Sequence, residues 1–196
     1  LTVSIVSHNN LQQITNILGV LLQKDFQVIL TINVNEDLTV LNSYNSNNLK
    51  TIINETPNGF GENHNNALKN CKTKYCLILN PDVEIELDTI ENLLNLMNHK
   101  VRVISPLALS QNGRIQDNAR RYPSWYTPLL RILNLQSGNL YKYNDKLLKV
   151  DWISGMFILL ETELFHQVKG FDQKFFLYYE DVDLCKRIKK NNIDIF

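Results

Sequence analysis

The sequence is poor in cysteine and lacks long hydrophobic runs. Its three cysteines, Cys71, Cys76 and Cys185, form neither a C-x-x-C pair nor an even set for disulfides. No stretch approaches the roughly 18 apolar residues that a membrane-spanning helix needs, and the start of the chain has no signal-peptide pattern. These absences predict a protein of the reducing cytoplasm, with peripheral association on the inner face of the membrane as an alternative.

A net charge is also absent. The 20 basic and 20 acidic residues cancel, which predicts a protein that does not bind nucleic acid. The 196 residues suit one large domain with enough apolar side chains for a proper core. Because the chain opens without Met and closes on a strand-like run at 193–196, we expect it to be a piece of a longer protein.

The first half of the sequence alternates between strand-like and helix-like segments. Apolar residues recur at helical spacing in 11–22, between strand-like runs at 2–7 and 26–32, and a third strand is predicted at 49–53. A strand, helix, strand unit is almost always right-handed with parallel strands. The predicted fold class is therefore α/β, with a mostly parallel central sheet and helices on both faces.

A short buried strand is predicted to deliver polar residues to one edge of this sheet. The apolar run at 75–79 is too short for a helix and leads directly into Asn80, Pro81 and Asp82. Ligands of open α/β sheets bind beyond the carboxyl ends of the strands, so Asn80 and Asp82 are candidate ligand-binding residues. The alternative is an ordinary turn, because Asn, Pro and Asp are all common in turns.

Two glycines separate the third strand from a helix that is predicted around Ala67 and Leu68. The segment at 55–66, which contains Gly59 and Gly61, is predicted to be a loop before that helix. Glycines in this position are typical of backbone that approaches a phosphate at a helix N-terminus. As a lone Gly-x-Gly the signal is weak. A Rossmann dinucleotide-binding fingerprint would need a third glycine where His64 stands, and a P-loop would need a lysine that is not present after these glycines. The sequence therefore argues against a dinucleotide site and against a P-loop.

A second acidic group opens a predicted helix near the end of the chain. Glu180, Asp181 and Asp183 directly follow the mostly aromatic run at 175–179. Acids in a first turn stabilise a helix by complementing its dipole. An apolar wall also raises the pKa of a carboxylate and makes it a better proton acceptor. The sequence leaves both interpretations open.

These parts combine into one chemical hypothesis. A divalent metal ion held by one carboxylate neutralises a diphosphate leaving group, and a second carboxylate accepts the proton of an attacking hydroxyl. Inverting transfer from a nucleotide sugar needs both. Beyond residue 106 the regular alternation stops, Gly155 is expected to bend a strand, and an amphipathic helix is predicted at 125–135. That helix either packs on its own domain or faces a membrane or acceptor.

The sequence resembles the family-2 glycosyltransferases with a GT-A fold, particularly bacterial rhamnosyltransferase-like members. Four blocks carry the resemblance in the family's order: VSIVSHN at 3–9, NGFGENHN at 58–65, LNPD at 79–82, and WISGMF at 152–157 running on through GFD at 170–172 to YEDVDL at 179–184. The resemblance implies that residues 1–106 form a Rossmann-like nucleotide-sugar-binding half. Residues 107–196 would form the acceptor and catalytic half of the same domain.

The resemblance also implies a role for each matched position. The nucleotide-sugar site would comprise Ser7, His8, Asn9, Asn33, Gly59, Asn63, Asn80 and Asp82. Asp82 would also hold Mg²⁺ or Mn²⁺, Asp181 would be the general base, and Glu180 would support it. The acceptor side would comprise Trp152, Ser154 and Gly155. Two positions depart from the family: Asn33 stands where many relatives have Asp, and Asn80 replaces the first acid of Asp-x-Asp.

The implied function is inverting transfer of a sugar, with rhamnose expected, from a dTDP- or UDP-sugar donor. The acceptor would be a glycan or a lipid-linked acceptor in bacterial surface polysaccharide synthesis. Two alternatives stay open. A sugar-nucleotide nucleotidyltransferase shares the nucleotide-binding half, but usually carries a basic glycine-rich loop where this chain has His8, Asn9 and Asn10. A catalytically silent nucleotide-sugar-binding subunit is the other.

Overall fold

The structure is a computed structural model that describes residues 1–44, 46–110, 112–116, 118–122, 141 and 147–196. The amphipathic helix predicted at 125–135 lies outside the described residues. None of the helices in the described ranges is long and apolar enough to span a membrane.

The described residues form eight strands and five α-helices. The strands are β1 (Thr2–Ser7), β2 (Gln27–Ile32), β3 (Leu49–Ile53), β4 (Tyr75–Leu79), β5 (Val103–Ile104), β6 (Ala119–Arg120), β7 (Trp152–Ile153) and β8 (Phe157–Glu161). The helices are α1 (Leu11–Leu21), α2 (Phe60–Leu68), α3 (Leu87–Leu96), α4 (Thr162–Gln167) and α5 (Glu180–Lys190). A 3₁₀ helix spans Leu38–Ser43.

Six of these strands make one mixed sheet in the order β3-β2-β1-β4-β8-β5. The pairs β1–β2, β2–β3 and β1–β4 are parallel, whereas β8 runs antiparallel to both β4 and β5. The predicted mostly parallel sheet is therefore confirmed. Because β8 lies between β4 and β5, the second half of the chain completes the sheet of the first half.

The hydrophobic core lies on both faces of this sheet, as side-chain alternation along a strand requires. Leu77 and Leu79 of β4 pack in one cluster with apolar residues of α1 and α3. Cys76 and Ile78 of the same strand pack in a second cluster with residues of α2, α4 and α5. Helices on both faces are thus confirmed.

The glycine segment differs from its predicted structure. We expected a loop through residue 66, but α2 begins at Phe60, and Gly61 and Asn63 lie within the helix. The residues of this segment are mostly poor helix formers, so tertiary packing decides its conformation. A Cβ on Gly61 would lie 2.5 Å from Cβ of Phe171, and glycine therefore lets the helix pack closely at this point. The predicted bend at Gly155 is confirmed, because it lies between β7 and β8.

Candidate active site

Polar residues collect where the parallel strands end. Ser7 is the last residue of β1, Asn33 follows β2, and Asn80 follows β4. The backbone N–H of Asn33 donates to the carbonyl of Ser7 at 2.9 Å, so these two strand ends are directly joined. This is the edge at which open α/β sheets bind ligands.

Ser7 is buried and already bonded at this edge. Its hydroxyl donates to Oε2 of Glu36 at 2.9 Å, and the same oxygen accepts the backbone N–H of Leu11, the first residue of α1, at 3.0 Å. Glu36 therefore ties the segment after β2 to the start of α1. Sequence reasoning missed Glu36, whose one signal is its place in the polar segment after β2. His8 and Asn9 follow Ser7 and are exposed, with Asn9 in the left-handed region at φ +65°.

The amide of Asn33 uses all of its hydrogen-bonding capacity within the protein. Its oxygen accepts the backbone N–H of Asn58 at 2.9 Å and the side-chain amide of Asn54 at 2.8 Å. Its nitrogen donates to the carbonyl of Asn58 at 3.0 Å and lies 3.2 Å from Nδ1 of His8. Asn33 is only 5% exposed. It would have to break one of these bonds to accept a hydrogen bond from a nucleobase.

Asn63 of α2 belongs to the same network. Its amide oxygen accepts from Asn54 at 2.7 Å, and its nitrogen donates to the carbonyl of Asn58 at 3.2 Å. Sequence reasoning missed Asn54, although it follows β3 as Asn33 follows β2. The structure thus brings the predicted residues Asn33 and Asn63 together through an unpredicted one.

His64, the next residue of α2, is fully buried. Its Nδ1 is 2.8 Å from the hydroxyl of Ser4, and its ring contacts Phe60 at a centroid distance of 4.5 Å. Burial lowers the pKa of His64 to about 3, so its imidazole is neutral at physiological pH. Nε2 is buried without a hydrogen-bond partner in the described part of the chain.

The glycine turn is joined to the aromatic run that precedes α5. The backbone N–H of Phe60 donates to the carbonyl of Phe176 at 2.9 Å. A Cβ on Gly59 would lie 2.6 Å from that carbonyl oxygen, so the two segments meet at a point where only glycine fits without movement. Beyond this contact the side chains of the run point to solvent: Phe176, Leu177, Tyr178 and Tyr179 are all more than half exposed.

Asp181 lies at the start of α5 and is held by two backbone amides. Oδ2 accepts the N–H of Gly155 at 3.0 Å, and Oδ1 accepts the N–H of Val182 at 2.7 Å. The preceding Glu180 is buried, and this burial raises the pKa of its carboxyl, with a further rise from the neighbouring charge of Asp181. Oε2 of Glu180 has no hydrogen-bond partner among the described residues. The third acid, Asp183, forms an ion pair with Arg187 at 2.7 Å, one turn further along the same helix, and this pair stabilises the helix.

The contacts of Gly155 bring Asp181 to the end of β4. The next residue, Met156, accepts the backbone N–H of Asn80 through its carbonyl at 2.9 Å. Asp181, Gly155 and Asn80 therefore belong to one connected group, although they come from three separate parts of the chain. Asn80 also accepts from the backbone N–H of Val83, so the turn that contains Asp82 begins at this group.

The two other predicted acceptor-side residues flank this group. The indole N–H of Trp152 donates to the carbonyl of Arg121 at 3.3 Å, and the Arg120 guanidinium lies 5.6 Å from the indole ring. Ser154 donates its backbone N–H to the carbonyl of Asn118 at 2.8 Å. The hydroxyl oxygen of Ser154 is buried and has no hydrogen-bond partner among the described residues.

Asp82 is exposed, and no hydrogen bond or ion pair within the described ranges engages its carboxylate. No group of three or more His, Cys, Asp or Glu side chains converges as a metal site in those ranges. Mg²⁺ is commonly bound by one or two carboxylates together with substrate phosphates and water. A single free carboxylate at a strand end fits a metal ion that arrives with a diphosphate, and does not fit a metal ion held by protein alone.

A separate cavity of about 270 Å³ lies between α3, β5 and the segment 147–150. None of the candidate site residues lines it. The candidate site lies instead at the ends of the parallel strands, where hydrogen-bonded turns shape it.

Comparison with known proteins agrees with this architecture. The family model described as Glycosyl transferase family 2 matches residues 2–169. Rhamnosyltransferase WbbL of Escherichia coli is 32% identical over 144 residues, which are 66% of this chain and 54% of the relative. N-acetylglucosaminyl-diphospho-decaprenol L-rhamnosyltransferase of Mycobacterium tuberculosis is 30% identical over 155 residues, which are 71% of this chain and 49% of the relative.

Solved structures resemble the chain over its whole length. Mannosyltransferase PcManGT from Pyrobaculum calidifontis, in complex with GDP-Man and Mn²⁺, has a TM-score of 0.67 at 16% identity, over 100% of this chain and 53% of the other. GalNAc-T7 with UDP, GalNAc and Mn²⁺ has a TM-score of 0.71 at 14% identity, over 99% of this chain and 40% of the other. These likenesses confirm the GT-A fold.

The chain spans about half the length of the curated relatives it matches. The match to the family model ends at residue 169, before α5 and Asp181. It nevertheless covers most of the sequence, including the three parallel strand pairs and β8. The resemblance seen in the sequence is therefore confirmed: the chain belongs to glycosyl transferase family 2.

Proposed function

We propose that the chain is the nucleotide-sugar-dependent catalytic part of a glycosyltransferase and transfers a sugar with inversion. One observation carries the proposal: Asp181 is joined through Gly155 and Met156 to the end of β4, just before the exposed carboxylate of Asp82. Two carboxylates with different surroundings thus share one edge of the sheet. That suits a reaction in which one acid helps a charged group to leave and another takes up a proton.

The donor would bind across the ends of β1, β2 and β4. The groups there are Ser7, His8, Asn9, Asn33, Gly59, Asn63 and Asn80, and none of them carries a fixed positive charge. A diphosphate would therefore need a cation, and we propose that Asp82 holds Mg²⁺ or Mn²⁺ against it. The ion, when bound, neutralises charge on the leaving group. Two structural neighbours were solved with Mn²⁺, which supports this choice.

Asp181 is the proposed general base. Each of its carboxylate oxygens accepts one backbone N–H, which fixes the carboxylate and leaves a second lone pair on each oxygen for the acceptor hydroxyl. The buried Glu180 would support this position. Trp152, Ser154 and Gly155 would shape the acceptor side, and residues 1–106 and 107–196 would be the donor and acceptor halves.

The substrate class is proposed from the relatives. Two of them are named as rhamnosyltransferases, and the name of the second includes diphospho-decaprenol. We therefore propose a dTDP- or UDP-sugar donor, with rhamnose as the sugar, and a glycan or lipid-linked acceptor in bacterial surface polysaccharide synthesis. The protein would work at the cytoplasmic face of the membrane as a peripheral protein.

Calorimetric titration with dTDP, UDP and GDP tests the proposal, each with Mg²⁺, Mn²⁺ and chelator. We expect dTDP or UDP to bind more tightly with metal than with chelator, and the corresponding nucleotide sugar to be hydrolysed or transferred. Binding without any turnover would favour a catalytically silent binding subunit. Turnover of a nucleoside triphosphate with a sugar phosphate would favour a nucleotidyltransferase. If no nucleoside diphosphate binds, the proposal is wrong.

A further inference from the structure

The orientation of the Asn33 amide is fixed by two backbone groups of Asn58. The N–H of Asn58 can only donate, so the Asn33 atom 2.9 Å from it is the amide oxygen. The carbonyl of Asn58 can only accept, so the atom 3.0 Å from it is the amide nitrogen. A flipped amide would set donor against donor and acceptor against acceptor. The group that Asn33 presents to His8 is therefore an N–H donor.

This donor determines which nitrogen of the His8 ring carries the proton. Nδ1 of His8 lies 3.2 Å from the Asn33 amide nitrogen, whose second hydrogen has no other acceptor among the described residues. Nδ1 must then accept, and in a neutral imidazole the proton is on the other nitrogen. His8 thus carries Nε2–H. His8 is exposed, and the structure gives Nε2 no bond to any residue in its described ranges.

We propose that His8 contacts the nucleobase of the donor as a hydrogen-bond donor through Nε2–H, and that Asn33 is the positioning residue that sets this tautomer. The inference rests on the proposed function, because it takes the ligand to be a nucleoside diphosphate. The base would be one that presents a carbonyl oxygen, as uracil, thymine and guanine do.

With this assignment the protein recognises the base through a hydrogen-bond donor, whereas a carboxylate at the end of β2 would recognise it through an acceptor. A carboxylate at position 33 would accept a hydrogen bond from a base N–H. The Asn33 oxygen is already taken by Asn54 and Asn58 and cannot do so without losing a partner. In this proposal the base is therefore recognised by His8, the residue after β1, which donates a hydrogen bond to it.

Nitrogen NMR of the free protein tests the tautomer without any nucleotide. The His8 resonances are assigned by their loss in the His8→Phe variant. We expect Nδ1 to be unprotonated and Nε2 to be protonated in neutral His8. In Asn33→Asp the side chain can only accept, so the proton should move to Nδ1. An Nδ1–H tautomer in the wild type, or an unchanged tautomer in folded Asn33→Asp, would overturn the positioning role. The wild-type result decides the tautomer even if the variant does not fold.

Calorimetry of His8→Phe tests the contact with the base, with His99→Phe as the matched control at an exposed histidine outside the site. With Mn²⁺ present, His8→Phe should weaken UDP binding roughly 3- to 10-fold, the value of one hydrogen bond. Binding of inorganic diphosphate should be unchanged, and His99→Phe should bind both ligands normally. Equal losses for UDP and diphosphate, or no loss for UDP, would overturn the base contact. Absence of nucleotide binding in the wild type would refute the proposed function and the base contact together, while the tautomer is still decided by NMR.

Discussion

Replacement of Gly59 by alanine tests the junction between the glycine turn and the aromatic run. The backbone of Gly59, at φ −65° and ψ 162°, is open to alanine, so the effect is steric. The new Cβ would lie 2.6 Å from the carbonyl oxygen of Phe176 and 3.0 Å from its Cα. The carbonyl cannot retreat freely, because it accepts the N–H of Phe60 at 2.9 Å.

The expected cost follows from three contributions. Overpacking against backbone costs about 1–3 kcal/mol, and a strained or lost hydrogen bond costs about 1 kcal/mol more. The smaller entropy of an unfolded chain with alanine returns about 0.4–1 kcal/mol. We expect a net loss of about 1–3.5 kcal/mol in the free energy of unfolding. At roughly 2–4 °C per kcal/mol for a chain of this size, the melting temperature falls by several degrees.

Thermal and urea unfolding followed by circular dichroism measure this loss. Gly19→Ala is the matched control, because Gly19 lies within α1 and a Cβ there meets nothing within 4 Å. That variant should gain about 0.5–1 kcal/mol from helix propensity. The reasoning is refuted if Gly59→Ala is as stable as the wild type while Gly19→Ala behaves as expected.

Three further substitutions test individual groups. Asp181→Asn should leave donor binding intact and lower turnover roughly 100- to 10,000-fold; unchanged turnover in a kinetic assay would remove Asp181 from the base role. Asp82→Asn should abolish the difference in UDP affinity between Mn²⁺ and chelator, and a retained difference in calorimetry would show that another group holds the metal. The pKa of His64 falls on folding from 6.5 to about 3, so the folded state binds fewer protons in that window and stability is lost as pH falls through it. His64→Gln should therefore lose less stability between pH 6.5 and 3, and an equal loss in urea unfolding would contradict the burial argument.

The strands of the sheet were predictable from the sequence because local patterns determine them. The strands predicted at 2–7, 49–53 and 75–79 have those bounds in the structure. Each is a short run rich in apolar and branched residues that ends at a polar group, and nothing distant is needed to recognise it. The parallel pairing of β1 with β2 then followed from the strand, helix, strand order at the start of the chain.

The site network was not predictable in the same way, because its partners are distant in the chain. Asn54 had no motif of its own, and its importance comes from the two amides that it joins, Asn33 and Asn63. Asparagine is abundant throughout the sequence, so its presence at one position carries little information. The start of α2 was also misjudged, since close packing of Gly61 on Phe171 is a tertiary effect that propensity does not report.

The position of Asp181 shows why a candidate base could be named from the sequence but not located. Its place in the first turn of α5 explains how its charge stabilises the helix, but it does not explain why the carboxylate lies at the edge of the sheet. What brings it to the sheet edge is Gly155, whose N–H bonds its carboxylate and whose missing side chain leaves room for the Phe60 ring, 3.1 Å from where a Cβ would be. The bend between β7 and β8, the first turn of α2 and the start of α5 thus meet at one residue. The geometry of the proposed proton acceptor therefore depends on the antiparallel insertion of β8 beside β4.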